Sequence, residues 1–422
     1  MAPKMAPSYL RPTKSSNQKK AAHSNKPGLS LEDTAIGSPT PQSSTIPSSK
    51  KQSVKNPTVR DPEFENTQLI PRGIEIIRTP DLSLGSVGGA HPYFGSDPPS
   101  DPAKSHEFYK SVVEKSLAGR VERDIDDSIF LSTDTDFVQS VHRAYRSLGE
   151  AGLPESEFKA YAQEKLFIGQ YSLLENDRRQ HFAVRSVEWS LKPLEFDLWR
   201  APPLISLSDS DSSFKPFGFD IYPDCQFWVC DQIINADYRA EIPHVVHRKA
   251  LGAFCPYFSI EFKPTIGDTR IVENQVAAAG SVSLYNRYCL KLDAHPQPTP
   301  EQLKMVRHYG LTMENANWTV WRFEPKMANE AWAGCRMRRL DRGTCMAEQG
   351  VRRLLSWINE IHRWGLCEYA LECEDDIKHI LSGAPINMKV SVIGAGAAGV
   401  GALGAGALGV GAAGAAVLGA GV

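Results

Sequence analysis

The sequence lacks closely spaced cysteines. Its eight cysteines are scattered over 422 residues, with no Cys-x-x-Cys pair and no Cys/His spacing typical of structural zinc. Nothing in their arrangement indicates disulfide bonds, so we expect buried thiols in a reducing compartment. The cysteines therefore argue against a disulfide-rich secreted protein and favour an intracellular location, either nuclear or cytoplasmic.

The first hundred residues lack a sustained apolar period. They are rich in Ser, Pro, Lys, Asn and Thr, and no apolar run follows the first lysines as a secretory signal would require. Such a segment cannot bury enough surface to offset the entropy lost on ordering. We therefore predict that residues 1–100 form a disordered basic region. Lys19-Lys20 and Lys50-Lys51 could serve nuclear import, although basic pairs in a solvated tail usually have no such role.

The remainder of the chain lacks a surplus of positive charge. The formal net charge is −2, and residues 1–60 hold ten Lys and Arg residues but only two acidic ones, which leaves about −10 elsewhere. Nucleic-acid contact would then need a local basic groove. A strand predicted at 333–340 places Arg336 and Arg338 on one face, with Arg339 beyond, and this is the candidate contact. A sheet edge protected by arginines would give the same pattern.

Residues 101–385 have the periodicities of a folded domain. Apolar residues recur at helical spacing over 106–126, 134–152, 271–290 and 350–366, and a further helix starts at Pro154. Strand-like patterns cover 180–189, 222–229, 257–264, 317–325 and 333–340. These elements predict an α/β (α+β) fold, in which helices flank a mixed β-sheet of four or five strands.

The C-terminal residues 386–422 are a low-complexity Gly/Ala tail. From Gly394 an uncharged pentad repeats to the last residue, over a length sufficient for a membrane span. Glycine at about two of every five positions makes a poor helix, at roughly 1 kcal/mol per glycine relative to alanine. A flexible tail is favoured over a membrane anchor, and a mistaken gene boundary is the third alternative.

The most informative stretch covers residues 222–286. In its two strands, YPDCQFWV and YFSIEFKP, side chains two positions apart share a face. One face is apolar and consists of Cys225, Phe227, Val229, Ile260 and Phe262. The other face starts with Asp224 on the first strand and carries Glu261 and Lys263 on the second. Hard cations such as Mg²⁺ prefer carboxylate oxygens, so Asp224 and Glu261 could bind the metal while Lys263 orients a water. A solvent-exposed Glu-Lys pair would show the same local pattern.

Pro223-Asp224, Glu261-Phe262-Lys263 and a helical Gln275 together resemble the PD-(D/E)XK nuclease-like domain, in the version common in fungal proteins. The resemblance extends roughly over residues 133–382. It implies a restriction-endonuclease-like sheet and a nuclease, that is, a phosphodiester hydrolase that uses Mg²⁺ or Mn²⁺. It also implies metal ligands at Asp224 and Glu261, and catalytic roles for Lys263 and Gln275. The expected partner is nucleic acid, with DNA favoured over RNA, and a membrane is not expected.

The chain departs from this family at two points. Some branches place a tyrosine four residues after the glutamine, where this chain has Ala279. A helix before the sheet often adds a further acid, for which Asp134 and Glu164 are candidates, whereas Glu155 and Glu157 suit the first turn of a helix. These departures keep open a catalytically inactive nuclease-like module that binds nucleic acid or protein.

His244 and His247 are a second possible metal pair. Their spacing could place both imidazoles on adjacent helical turns, but no third ligand lies nearby in the sequence. An ordinary surface or core helix is the favoured interpretation.

Overall fold

A seven-stranded mixed β-sheet forms the centre of the protein. The computed structural model describes residues 56–79, 105–118, 126–169, 181–194, 197–205, 216–264 and 269–383. Helices flank the sheet, which confirms the predicted fold class, but the sheet has more strands than the four or five expected.

The strands are β1 (Ile74–Ile77), β2 (Ala183–Ser186), β3 (Cys225–Cys230), β4 (Ala253–Lys263), β5 (His308–Glu314), β6 (Asn317–Ala328) and β7 (Ala331–Thr344). The α-helices are α1 (Ser105–Ser116), α2 (Thr135–Glu150), α3 (Glu155–Lys165), α4 (Ala236–Arg239), α5 (Ile242–Val245), α6 (Thr269–Ala294), α7 (Pro300–Lys304), α8 (Glu348–Trp364) and α9 (Ala370–Gly383). Strand order in the sheet is β1-β7-β6-β5-β4-β3-β2.

The sheet combines antiparallel neighbours with two parallel pairs. β2, β3 and β4 form an antiparallel meander, and α6 then crosses over so that β5 runs parallel to β4. β5, β6 and β7 are antiparallel neighbours, and β1 adds to β7 in parallel. A parallel pair needs such a crossover connection, which the long helix α6 supplies between β4 and β5.

Helices and loops cover both faces of the sheet. This explains why every residue of β3 and all but the last residue of β4 are buried. On one face, α2, α8 and α9 pack in a core that includes Val141, Leu354 and Ile377. On the other face, α6 packs its small side chains against Trp321 and Phe323 of β6. Among the described helices, none is both long and apolar enough to span a membrane.

Residues 56–79 belong to the folded unit, although the sequence placed them in the disordered region. β1 pairs with β7, and the side chains of Phe64, Leu69 and Ile74 are buried. Arg72 is also buried, which lowers its pKa to about 10, and its Nη2 donates to the Phe217 carbonyl at 3.0 Å. A few separated apolar side chains are enough to attach this segment to the folded unit. Its sequence therefore shows no sustained apolar periodicity. The remainder of the predicted N-terminal region and the predicted tail at 386–422 lie outside the described residues.

Candidate metal centre

The pairing of β3 with β4 brings Asp224 to Glu261. Cys225 lies opposite Ile260 in this antiparallel pair. Asp224, directly before β3, therefore lies beside Glu261 of β4. The backbone N–H of Phe262 donates to Asp224 Oδ2 at 2.8 Å. The carboxyl group of Asp224 is thereby held against the strand that carries the Glu-x-Lys motif.

Glu261 is a buried acid, with only 2% of its surface exposed. Burial raises its pKa well above the ordinary value, and the charge and hydrogen bonding of neighbouring Asp224 raise it further, while the charge of Lys263 opposes the shift. Its Oε2 atom is buried without a hydrogen-bond partner among the described residues. The raised pKa shifts Glu261 towards its neutral, protonated form.

This donor set fits a hard divalent cation. The carboxyl groups of Asp224 and Glu261 interact, and Oε2 of Glu261 is buried with no hydrogen-bond partner among the described residues. Buried polar atoms are usually paired, so a buried carboxyl oxygen of this kind is compatible with an added ligand. Mg²⁺ and Mn²⁺ prefer such oxygen ligands, and Asp224 and Glu261 would hold the ion.

Lys263 lies at the end of β4, two positions beyond Glu261 and on the same face of the strand. Its side chain is partly exposed and forms no hydrogen bond or ion pair with a described residue. Its charge nevertheless opposes the rise in the pKa of Glu261, so the ammonium group lies close enough to act on that carboxyl group.

Helix α3 contributes a lysine to the centre, where the family resemblance suggested an acid. Lys159 Nζ lies 2.7 Å from Asp224 Oδ1, and Gln163 Nε2 donates to the Asp224 carbonyl at 3.1 Å. Lys159 also contacts Glu188 Oε1 at 2.7 Å. The sequence analysis missed Lys159 and Glu188. The only local signal was the i,i+4 spacing of residues 159 and 163, which places both on one face of a helix.

Neither proposed third acid is at the centre. Asp134 caps α2, because its Oδ1 accepts from the Phe137 N–H at 2.7 Å. Glu164 is largely exposed and pairs with Lys165 at 2.9 Å. Glu155 and Glu157 occupy the first turn of α3, as predicted from the helix dipole.

Gln275 lies on α6, on the stripe that continues through Ala279 to Ser283. Ser283 is fixed over the polar face of the sheet, because Gln226 Nε2 donates to its hydroxyl at 3.2 Å and to that of Ser259 at 2.8 Å. Gln275 is two turns earlier, about 12 Å along the helix axis, towards the helix end that follows Lys263. Its Oε1 is buried without a partner among the described residues.

The candidate arginines of β7 are divided between two faces of the sheet. Cys335 and Met337 are buried on the α6 face, so Arg336 and Arg338 project from the opposite face. Arg339 pairs with Trp321 on the α6 face, where its charge interacts with Glu273 of α6. β1 covers β7 at residues 335–338, so the alternative of an exposed sheet edge is wrong for Arg336 and Arg338. The three arginines therefore do not form one basic surface.

The His244 and His247 pair does not form a metal site. His244 is exposed on the short helix α5, whereas His247 lies beyond its end with Nδ1 2.7 Å from Asp197 Oδ1. Within the described ranges, no group of three His, Cys, Asp or Glu side chains is arranged to hold a metal ion. All eight cysteines are free and seven are buried, which confirms the prediction of buried thiols.

Comparisons of the chain with protein-family models, with curated proteins and with solved structures found no match.

Proposed function

We propose that the protein hydrolyses phosphodiester bonds of nucleic acid with a divalent metal, Mg²⁺ or Mn²⁺, held by Asp224 and Glu261. The observation that carries this proposal is the Oε2 atom of Glu261, which is buried beside the carboxyl group of Asp224 and has no hydrogen-bond partner among the described residues. A bound metal of this kind polarises a phosphoryl oxygen and lowers the pKa of its water.

Lys263 supplies the cationic side chain of the proposed reaction. It is on the same strand face as Glu261, about 6.6 Å further along β4 by the strand rise. Its partial exposure allows the ammonium group to meet a phosphate or to orient the attacking water. Gln275, whose amide oxygen is unpartnered among the described residues, could accept a hydrogen bond from such a water.

The proposed partner is nucleic acid, with DNA favoured over RNA, but Arg336, Arg338 and Arg339 are not included in the contact. β7 is three strands away from β4, and the arginines project from both of its faces. Phosphate contact is assigned instead to Lys263.

One observation favours a second candidate, a nuclease-like module that binds nucleic acid or protein without cutting. Both carboxylate oxygens of Asp224 already have partners, namely Lys159 and the Phe262 N–H. The negative charge of the Asp224 carboxylate is therefore partly neutralised without a metal. A module that binds no metal would need such neutralisation.

An activity and stability assay separates the two candidates. We expect the purified chain to cut DNA with Mg²⁺ or Mn²⁺, and Lys263→Ala to lower the rate about 10²- to 10³-fold, as does the loss of one electrostatic stabiliser in other active sites. Lys304→Ala, on an exposed side chain of α7, is the matched control and should keep the wild-type rate. Metal at about 100 times its Kd should stabilise the wild type by roughly 2.7 kcal/mol in thermal unfolding.

Cleavage that persists unchanged in Lys263→Ala would rule out the assigned role of this lysine. An absence of both cleavage and metal-dependent stabilisation would favour the binding module.

A further inference from the structure

Lys159 joins two carboxylates at the candidate centre. Its ammonium group lies 2.7 Å from Asp224 Oδ1 and 2.7 Å from Glu188 Oε1. Two carboxylate oxygens are thus held around one positive charge, and they can be no more than about 5.4 Å apart. This is the kind of position that a metal ion bridging two acids would occupy.

Glu188 reaches this position through an unfavourable backbone conformation. Glu188 has φ 54°, in the left-handed region that non-glycine residues rarely adopt. Its N–H donates to the Pro223 carbonyl at 3.0 Å, and Leu191 N–H donates to the Ile221 carbonyl at 2.9 Å. The loop after β2 is therefore tied to the segment that leads into Asp224. Strained residues of this kind cluster at functional sites because the surrounding structure must hold them in place.

A metal at Asp224 and Glu261 has to compete with Lys159. Oδ2 of Asp224 accepts from the Phe262 N–H, and Oδ1 accepts from Lys159. Glu261 Oε2 is buried with no partner among the described residues, so it is the oxygen of Glu261 that would bind an ion. The Phe262 N–H belongs to the backbone of β4 and cannot move away, whereas the Lys159 side chain can. Oδ1 is therefore the oxygen of Asp224 that a metal would take over.

We propose that Lys159 is an internal cation which a divalent metal displaces from Asp224, and that Glu188 then becomes the third carboxylate ligand beside Asp224 and Glu261. This inference rests on the proposed function, because it specifies how the same centre binds its metal. Glu188 has an exposed side chain, 60% accessible, and can follow the incoming ion. Lys159 thereby sets the metal affinity of the centre, since its positive charge both blocks and repels the ion.

The test is the binding of Mn²⁺ to the full chain, measured by calorimetry and by thermal shift. Lys159→Gln and Lys159→Met remove the charge and keep most of the side-chain length, and Lys165→Gln on the same helix is the control because Lys165 pairs only with exposed Glu164 among the described residues. We expect both Lys159 variants to bind Mn²⁺ about tenfold more tightly or better, since a like charge is removed from close range. Adding Glu188→Gln to Lys159→Gln should reverse most of that gain.

The outcomes separate this inference from the proposed function. If the wild type binds Mn²⁺ and folded Lys159→Gln or Lys159→Met binds it no more tightly, the inference is overturned and the proposed metal centre stands. If only the Lys159 variants bind, the lysine excludes the metal and is not displaced by it, so the displacement and the proposed activity of the wild type both fall. If no chain binds Mn²⁺, both are overturned.

Discussion

At the scale of single residues, the candidate centre depends on a carboxyl group placed where it ionises poorly. Glu261 is buried, and Asp224 lies close enough for its charge to raise the pKa of Glu261 further. A Glu-Lys pair on a solvated strand face would have neither property. The structure therefore separates the two interpretations that the strand pattern alone allowed.

We expect Glu261→Gln to stabilise the metal-free protein at neutral pH. Because burial and Asp224 raise the pKa of Glu261 in the folded state, its stabilising contribution is complete below the unfolded pKa, near 4.5, and is lost as the pH rises towards the folded value. Glutamine carries no charge at any pH and can donate to Asp224, so the variant avoids this loss. The expected gain at pH 8 is about 2–4 °C in Tm, the shift that about 1 kcal/mol produces, and it should shrink towards pH 5.

Thermal unfolding in metal-free buffer from pH 5 to 8 measures this difference. Glu164→Gln is the control, since Glu164 is largely exposed beside Lys165, and its Tm should follow the wild type at each pH. An equal effect of Glu261→Gln at pH 5 and pH 8 would contradict the assigned cause.

At the scale of elements, α6 packs closely on the sheet and so brings Ser283 within hydrogen-bond distance of Gln226 on β3. Gly280 allows this approach, because a Cβ at that position would lie 2.4 Å from Cζ of Phe323. The Phe323 ring is fully buried and cannot turn away into solvent. The distance between helix and sheet is therefore determined by the absence of one methyl group.

We expect Gly280→Ala to lower the free energy of unfolding, although alanine is the better helix former. Overpacking a core costs about 1–3 kcal/mol, which outweighs a helix-propensity gain of roughly 1 kcal/mol. Gly149→Ala in α2 is the matched control, because its Cβ would come no closer than 3.7 Å to Met346. Urea unfolding should show a loss for Gly280→Ala and no loss for Gly149→Ala. Equal stability of the two variants would show that α6 can move away from the sheet.

At the scale of the whole molecule, an N-terminal segment distant in sequence completes the sheet. β1 covers the edge of β7 at residues 335–338, and Phe64 and Leu69 are buried with the α6 core. Arg78 extends this connection, because it pairs with Glu65 and with Glu273 of α6. All of these residues lie in one compact unit.

A chain that starts at residue 101 should therefore be less stable than one that starts at residue 56. It loses Phe64, Leu69 and Ile74, and each buried side chain of this size contributes about 1.5–3 kcal/mol. It also exposes the edge of β7, which favours aggregation. Urea unfolding and light scattering of the two chains measure both effects. Identical unfolding midpoints would show that residues 56–79 add nothing to the fold.

The sequence by itself determined the features that depend on local periodicity. Side chains alternate every two residues along a strand, so Glu261 and Lys263 could be placed on one face before the structure was known. The same reasoning predicted a helix over 350–366 from its apolar spacing, and Val351, Leu354 and Ile358 of α8 are buried. The fold class followed from the order of such elements.

Only the tertiary structure decided which distant residues meet. Lys159 of α3 and Glu188 of the loop after β2 both come to Asp224, and Lys159 is 65 residues away along the chain. Sequence periodicity does not predict such a contact. β1 is four residues long, too short to show alternation, and its place is determined by the unpaired edge of β7. Which face of β7 lies under α6, and therefore that Arg339 meets Glu273, was likewise decided by packing. Periodicity is a property of neighbours along the chain, whereas these contacts arise from the packing of surfaces that the chain brings together only when it folds.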